Sequence, residues 1–192
     1  MPVGFDRNPH MGWKMLNKVA VDSNALSYLV DAVFSPSEPP KEIQEEKISL
    51  FRSYVYLENM FYVMPTVKTE FLKIKENSKL AKHISTSGIM LRELETKQIN
   101  KVNRVAEFYS GFHKGEKNFS DCKILAECEI LGMDILLSYD EDFVERLKNK
   151  SMKVSLMFPS EFWKVSGVPS GSEIRKQPLE SNPMSKSTWW RW

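Results

Sequence analysis

The sequence predicts an α/β fold with a mainly parallel sheet, because short apolar strands alternate with helical segments along most of the chain. Four segments have the length and composition of buried strands: KVAV, MFYVMP, MDILLS and MKVSLMF. The chain has 192 residues, 42% of them hydrophobic and 27% charged, which suits one globular domain. We therefore expect a single sheet with helices packed against it.

Helical patterns occupy most of the segment between the first two strands and much of the chain that follows the second strand. A helix is predicted from about Asn24 to Val33, and the proline-rich SPSEPP predicts a loop before the helical residues 41–59. After MFYVMP, Thr66 is a candidate N-cap for the helix VKTEFLKI. The segment NSKLAKHISTSG has little pattern, and a longer helix is predicted over about residues 89–109.

The second half of the domain repeats this alternation. Ser120 is a candidate N-cap for the helix DCKILAECEILG, which Gly132 is predicted to end. The helices DEDFVERLKNK and PSEFWKV flank the last strand. Residues 1–17 predict an irregular arm, residues 18–166 the domain, and the Ser- and Pro-rich residues 167–192, which end in WWRW, a mobile tail.

The composition indicates the cellular environment of the protein rather than its activity. The formal net charge is +2, so the overall charge does not indicate a nucleic-acid partner. Cys122 and Cys128 lie six residues apart on one predicted helix, about 9 Å along its axis, which prevents a mutual disulfide. His10, His83 and His113 lie far apart and form no zinc-binding spacing. Without an apolar run of about 20 residues or a signal peptide, we expect a soluble cytoplasmic protein that does not contact a membrane.

Four acidic residues occupy positions where α/β proteins place active sites. Asp22 directly follows the first strand, and Asp140 follows MDILLS, so both are expected outside the carboxyl ends of strands. Glu70 and Asp121 lie near the starts of helices, where a single acid has a structural explanation because the helix dipole stabilises it. Four acids at one edge repel each other unless a cation lies among them, and Mg²⁺ and Mn²⁺ prefer oxygen ligands. The pattern therefore indicates metal-dependent phosphodiester hydrolysis.

The segments that carry these acids resemble the motifs of the PIN-domain family of metal-dependent nucleases. The matching segments are VAVDSNAL, VMPTVKTEFL, SDCKILAECEILGMDILLS and SYDEDF, and VSLMFPSEFW resembles the closing strand and helix of the family. The resemblance covers about Lys18–Val165. It implies a three-layer sandwich with a central, mainly parallel sheet of four to five strands flanked by helices.

The resemblance also implies roles for particular residues. The acids that match the family motifs would be both catalytic and metal-binding, with Mg²⁺ or Mn²⁺ as the cofactor: Asp22, Glu70, Asp121 and Asp140. Asp142 is a candidate fifth acid, although a role at a helix start before Phe143 competes with that assignment. The residues implied to support the site are Ser138, Asn24 and Ser23.

The activity implied by the resemblance is that of an endoribonuclease, most like the VapC-type toxin of a type II toxin–antitoxin pair. The partners would then be an RNA substrate, an antitoxin protein and a second copy of the chain. Three alternatives stay open: an RNA-processing or DNA nuclease outside a toxin system, a PIN-like scaffold that binds nucleic acid or protein without cutting, and a haloacid-dehalogenase-type phosphotransferase. The last needs Asp-x-Asp after the first strand, and Asn24 in the third position counts against it.

Several other polar residues have competing interpretations. Glu127 and Glu129 lie on the predicted Asp121 helix, on what the helical period predicts to be a solvated or salt-bridged face. Lys114 and Lys117 precede Asp121 and are either phosphate contacts or part of a solvated loop. The terminal WWRW would stack on bases, dock into a partner groove or cover an apolar patch.

Overall fold

The computed structural model describes residues 17–35, 60–111 and 119–165, together with the helical positions 47, 50, 51, 53 and 54. The predicted N-terminal arm up to residue 16, the tail after residue 165 and the lysines at 114 and 117 lie outside these residues.

The described strands form one sheet in which every pairing is parallel. In chain order the strands are β1 (Lys18–Val21), β2 (Met60–Val63), β3 (Arg92–Glu93), β4 (Ile135–Leu137) and β5 (Ser155–Met157). Across the sheet their order is β3-β2-β1-β4-β5. The predicted α/β fold with a mainly parallel sheet of four to five strands is confirmed.

Seven helices with complete bounds flank this sheet within the described residues. In chain order they are α1 (Ser23–Phe34), α2 (Pro65–Phe71), α3 (Asn77–Met90), α4 (Ile99–Tyr109), α5 (Phe119–Leu131), α6 (Glu141–Leu147) and α7 (Pro159–Val165). Helix α1 contacts α3, whereas α4 contacts α5. Because parallel crossovers are right-handed, the run β1-β2-β3 and the return to β4-β5 place their helices on opposite faces of the sheet. The result is a three-layer sandwich.

The strand order reverses at β1: β2 and β3 are added on one side of it, and β4 and β5 on the other. The register pairs Val21 with Leu137, so β1 and β4 end at the same level. Their carboxyl ends therefore open onto a topological switch point, which is where open α/β sheets usually bind ligands. Val19, Ala20 and Val21 are fully buried, so the core extends directly up to this edge.

The structure corrects two predictions in the middle of the chain. The single helix predicted over residues 89–109 is wrong, because α3 ends at Met90, and β3 and an irregular connection precede α4. Helix α3 buries the polar residues His83, Thr86 and Ser87, so its sequence lacks the apolar stripe from which helices are recognised. Strand β3 has only two residues, both exposed.

Two predicted N-caps are also wrong. Helix α2 begins at Pro65 after Met64, so Thr66 lies inside its first turn. Helix α5 begins at Phe119, which places Ser120 inside that helix. Both hydroxyls donate instead to carboxylates of other elements, as described below.

The described helices do not include one with both the length and the apolar character needed to cross a membrane.

Candidate active site

Asp22 lies immediately after β1, at the switch point, and only 3% of its surface is exposed. Its Oδ1 accepts a hydrogen bond of 2.6 Å from the backbone N–H of Ala25 and so caps α1. Its Oδ2 accepts a hydrogen bond of 2.5 Å from the Ser138 hydroxyl, which follows β4. The carboxylate therefore joins the ends of the neighbouring strands β1 and β4.

The environment of Asp22 opposes its negative charge. Burial raises the pKa of this carboxyl from 3.8 to about 7, although the bonds from Ser138 and Ala25 lower it. The nearby carboxylates of Asp121 and Asp140 raise the pKa further. Asp22 is thus close enough to two of the other predicted acids to be affected by their charges.

Asp140 follows β4 and stands beside Ser138. Its Oδ1 accepts a hydrogen bond of 2.9 Å from Phe143 N–H and caps α6. Its own backbone N–H donates to the Ser138 Oγ over 3.0 Å. The Ser138 hydroxyl is fully buried and connects the side chain of Asp22 to the backbone of Asp140.

Glu70, on α2, is held by two serine hydroxyls from other helices. Ser23 donates to its Oε2, and Ser120 donates to its Oε1. These serines are the chain neighbours of Asp22 and Asp121. The three acids therefore converge from α1, α2 and α5 on one edge of the sheet.

Asp121 is half-buried and forms an ion pair with Arg146 of α6. The Nη2 of Arg146 donates to the Oδ2 of Asp121 over 2.6 Å. Burial raises the pKa of Asp121, the guanidinium lowers it, and the carboxylates of Asp140 and Glu70 raise it. Arg146 is a site residue that the sequence did not single out, since its pairing depends on how α6 packs beside α5.

Arg146→Gln is expected to lower the stability of the metal-free protein, because Asp121 would lose the cation that offsets the neighbouring carboxylates. The pair is about one-third exposed, so we expect a loss of about 1 kcal/mol, or about 2–4 °C in the melting temperature. Thermal unfolding in EDTA measures this. Lys148→Gln is the control, because it breaks a more exposed pair with Glu161. Equal melting temperatures for the two variants would contradict the expectation.

The prediction that Glu127 lies on a solvated or salt-bridged face is wrong. Only 2% of it is exposed, and burial raises its pKa. Its Oε2 accepts from the backbone N–H of Thr66 over 2.9 Å, and its Oε1 accepts from the Thr66 hydroxyl over 2.7 Å. Glu129, by contrast, pairs with Lys153 at 3.2 Å, as the salt-bridged interpretation predicted.

The remaining predicted residues are more peripheral. Ser23 contacts Glu70 rather than Asp22, and Asn24 is exposed on the first turn of α1. Asp142 is exposed in the first turn of α6, which is the position of a helix-terminal acid.

The donor set has the chemistry of a site for a hard divalent cation. The four predicted acids offer carboxylate oxygens, the ligand type that such a cation prefers, and the carboxylates of Asp121 and Asp140 raise the pKa of Asp22. In their present orientations, however, no three His, Cys, Asp or Glu side chains of the described residues lie close enough together to hold a metal ion. Glu70 and Asp121 are instead bonded to serines and to Arg146.

Comparison with known proteins gives no family assignment. No protein-family model matches the chain, and no curated protein matches it. The resemblance to PIN domains therefore rests on the motif residues of the sequence.

Proposed function

We propose that this chain is an Mg²⁺- or Mn²⁺-dependent endoribonuclease that hydrolyses RNA phosphodiester bonds at the edge formed by Asp22, Asp121 and Asp140. The observation that carries the proposal is the buried Asp22 carboxyl at the switch point. Its pKa is raised to about 7, and two further carboxylates lie near it.

The structural role of Asp22 does not explain its charge. An N-cap needs only a side-chain oxygen, which Ser, Thr or Asn provides without an ionisable group. An ionised carboxylate that is 3% exposed and near Asp121 and Asp140 costs free energy. A bound divalent cation would offset that cost, so a metal-binding role accounts for a residue that stability alone disfavours.

The residues that would hold the cation are Asp22, Glu70, Asp121 and Asp140. When bound, the cation would supply a metal-activated water and neutralise charge on the phosphodiester. The chain's own contribution is orientation. The Ser138 hydroxyl fixes one oxygen of Asp22, the Ala25 N–H fixes the other, and Ser23 and Ser120 fix both oxygens of Glu70.

The choice of RNA and of a toxin role comes from the PIN-domain resemblance. On that basis we propose an antitoxin protein as the regulatory partner and a second copy of the chain as a dimer partner. RNA processing or DNA cleavage outside a toxin system would use the same acids. The comparison of RNA with DNA below tests the DNA alternative.

The Asp22→Asn/Asp121→Asn double variant is expected to lose metal-dependent cleavage of a mixed RNA pool by at least about a thousandfold. The reason is that metal ligands contribute several kcal/mol to transition-state stabilisation, and each 1.4 kcal/mol is tenfold in rate. The assay compares Mn²⁺, Mg²⁺ and EDTA, with matched single-stranded DNA alongside.

Asp134→Asn provides a matched control for this test. Asp134 is an exposed acid at the amino end of β4, opposite the proposed site. There it accepts a hydrogen bond of 2.8 Å from the Lys18 N–H. It should retain wild-type cleavage. Cleavage of DNA but not RNA would reassign the substrate, and absence of cleavage by the wild type with either metal would favour the non-cutting scaffold.

A further inference from the structure

The contact between Glu127 and Thr66 joins the two helices that carry opposite sides of the site. Helix α5 carries Asp121 and, six residues later, Glu127. Helix α2 carries Thr66 and, four residues later, Glu70. Both oxygens of the Glu127 carboxylate accept hydrogen bonds from the single residue Thr66. The contact therefore restrains the position of one helix relative to the other.

Helix α2 has no cap of its own. The residue before it, Met64, makes no side-chain capping bond, and Pro65 has no N–H. The carboxylate of Glu127 supplies the missing acceptor from another helix, at the positive end of the α2 dipole. A helix of seven residues has little intrinsic stability, so such a tertiary cap matters to its position.

The packing around this contact is incomplete on one side of α2. A cavity of about 170 Å³ lies between α2, α4 and α5, and Thr66, Thr69 and Glu127 are among its lining residues. Glu127 lines this cavity beside Thr66, and its two hydrogen bonds add a specific polar restraint to the apolar packing of Met64 and Val67 at the amino end of α2.

We propose that Glu127 is a positioning residue, which holds α2 so that Glu70 stays beside Asp121 for metal binding. The inference rests on the proposed function, because it assigns Glu70 and Asp121 to a metal site. Glu127 itself would not contact the metal. It acts through Thr66 and the single turn of helix between Thr66 and Glu70.

The test compares Glu127→Ala with Glu127→Gln in the full 192-residue chain. Alanine removes both acceptors. Glutamine removes the charge but keeps the contact, since its carbonyl oxygen can accept from the Thr66 N–H while its amide donates to the Thr66 hydroxyl. We expect Glu127→Ala to weaken Mn²⁺ binding by about tenfold or more, and Glu127→Gln to stay within about threefold of wild type.

Two measurements are needed. The electron paramagnetic resonance signal of free Mn²⁺ gives the dissociation constant. Amide hydrogen exchange in the metal-free protein gives the stability of α2, where Glu127→Ala should exchange at least about tenfold faster and Glu127→Gln close to wild type. The matched control is Glu129→Ala, on the same helix as Glu127. It removes the hydrogen bonds that Tyr109, Ser151 and Lys153 donate to Glu129, and it should change neither quantity.

Each outcome decides the inference. Mn²⁺ binding that is weakened equally by alanine and glutamine would show that the charge of Glu127 matters rather than its contact, and would overturn a positioning role. Unchanged α2 exchange in Glu127→Ala would overturn it as well. If Glu127→Ala does not fold, Thr66→Val removes one of the two hydrogen bonds and should shift both quantities in the same direction. A wild type that binds no Mn²⁺ overturns the proposed function and the metal role of Glu127 together, while the exchange data still decide whether Glu127 holds α2.

Discussion

Asp22→Asn is expected to make the metal-free protein more stable at pH 8 while removing its metal-dependent activity. Asparagine retains an oxygen for the Ala25 N–H, and its amide can donate to the Ser138 Oγ in place of the bond that Ser138 donates to Asp22, so a side-chain contact is kept at both positions. The buried charge is removed. A residue that stabilises the fold when replaced and abolishes activity is characteristic of a functional site.

The pH dependence follows from the pKa of about 7 in the folded protein and the ordinary value of 3.8. A raised pKa means that the folded state binds the proton more tightly than the unfolded chain. The contribution of Asp22 to stability is therefore complete below about pH 4 and is lost as the pH rises through 7. The advantage of Asp22→Asn in the free energy of unfolding should grow by about 3 kcal/mol between pH 5 and pH 8.

Urea denaturation of both proteins in EDTA at pH 5 and pH 8 measures this difference. Asp134→Asn serves again as control, because it replaces an exposed acid at the opposite end of the strands, away from the buried site. If the advantage of Asp22→Asn is the same at pH 5 and pH 8, Asp22 does not titrate in this range, and its burial does not support a metal-binding role.

The sequence was sufficient to predict that Asp22 and Asp140 lie at the same edge, because parallel topology aligns strand ends. Once KVAV and MDILLS are strands of one parallel sheet, Asp22 and Asp140 must follow them at the same edge, whatever the details of packing. The register of Val21 with Leu137 confirms that geometry. The exposed strand β3 could not be predicted in this way. Its position depends on pairing with a neighbouring strand, and it has no run of apolar residues.

The partners of the acids could not be predicted from the sequence, because they depend on contacts between elements. Helix α5 buries residues 122 and 124–128, so it has no single buried face and the helical period misplaced Glu127 on the outside. Thr66 and Ser120 have typical capping residue types, yet their hydroxyls bond across helices to Glu127 and Glu70. Arg146 likewise reaches Asp121 only through the packing of α6.

Ser138→Ala is expected to destabilise the protein by about 1–3 kcal/mol at pH 8, because it leaves one buried group and one partly buried group without their partner. These groups are the Oδ2 of Asp22 and the backbone N–H of Asp140. The loss should be smaller at pH 5, where Asp22 is protonated and neutral. Ser151→Ala is a matched control, since that hydroxyl also donates to a carboxylate, Glu129, and accepts from backbone N–H groups, but at a less buried position. Its cost should not depend on pH in this range.

The same substitution also separates an electrostatic role of Ser138 from a purely structural one. The hydroxyl of Ser138 lowers the pKa of Asp22, so its removal should raise that pKa above about 7. If cleavage requires ionised Asp22, the acid limb of the pH–rate profile of Ser138→Ala should move to higher pH, and the rate should recover as the pH is raised. A variant that loses stability while its acid limb stays in place would show that Ser138 supports the fold but does not tune the carboxylate on which the proposed chemistry depends.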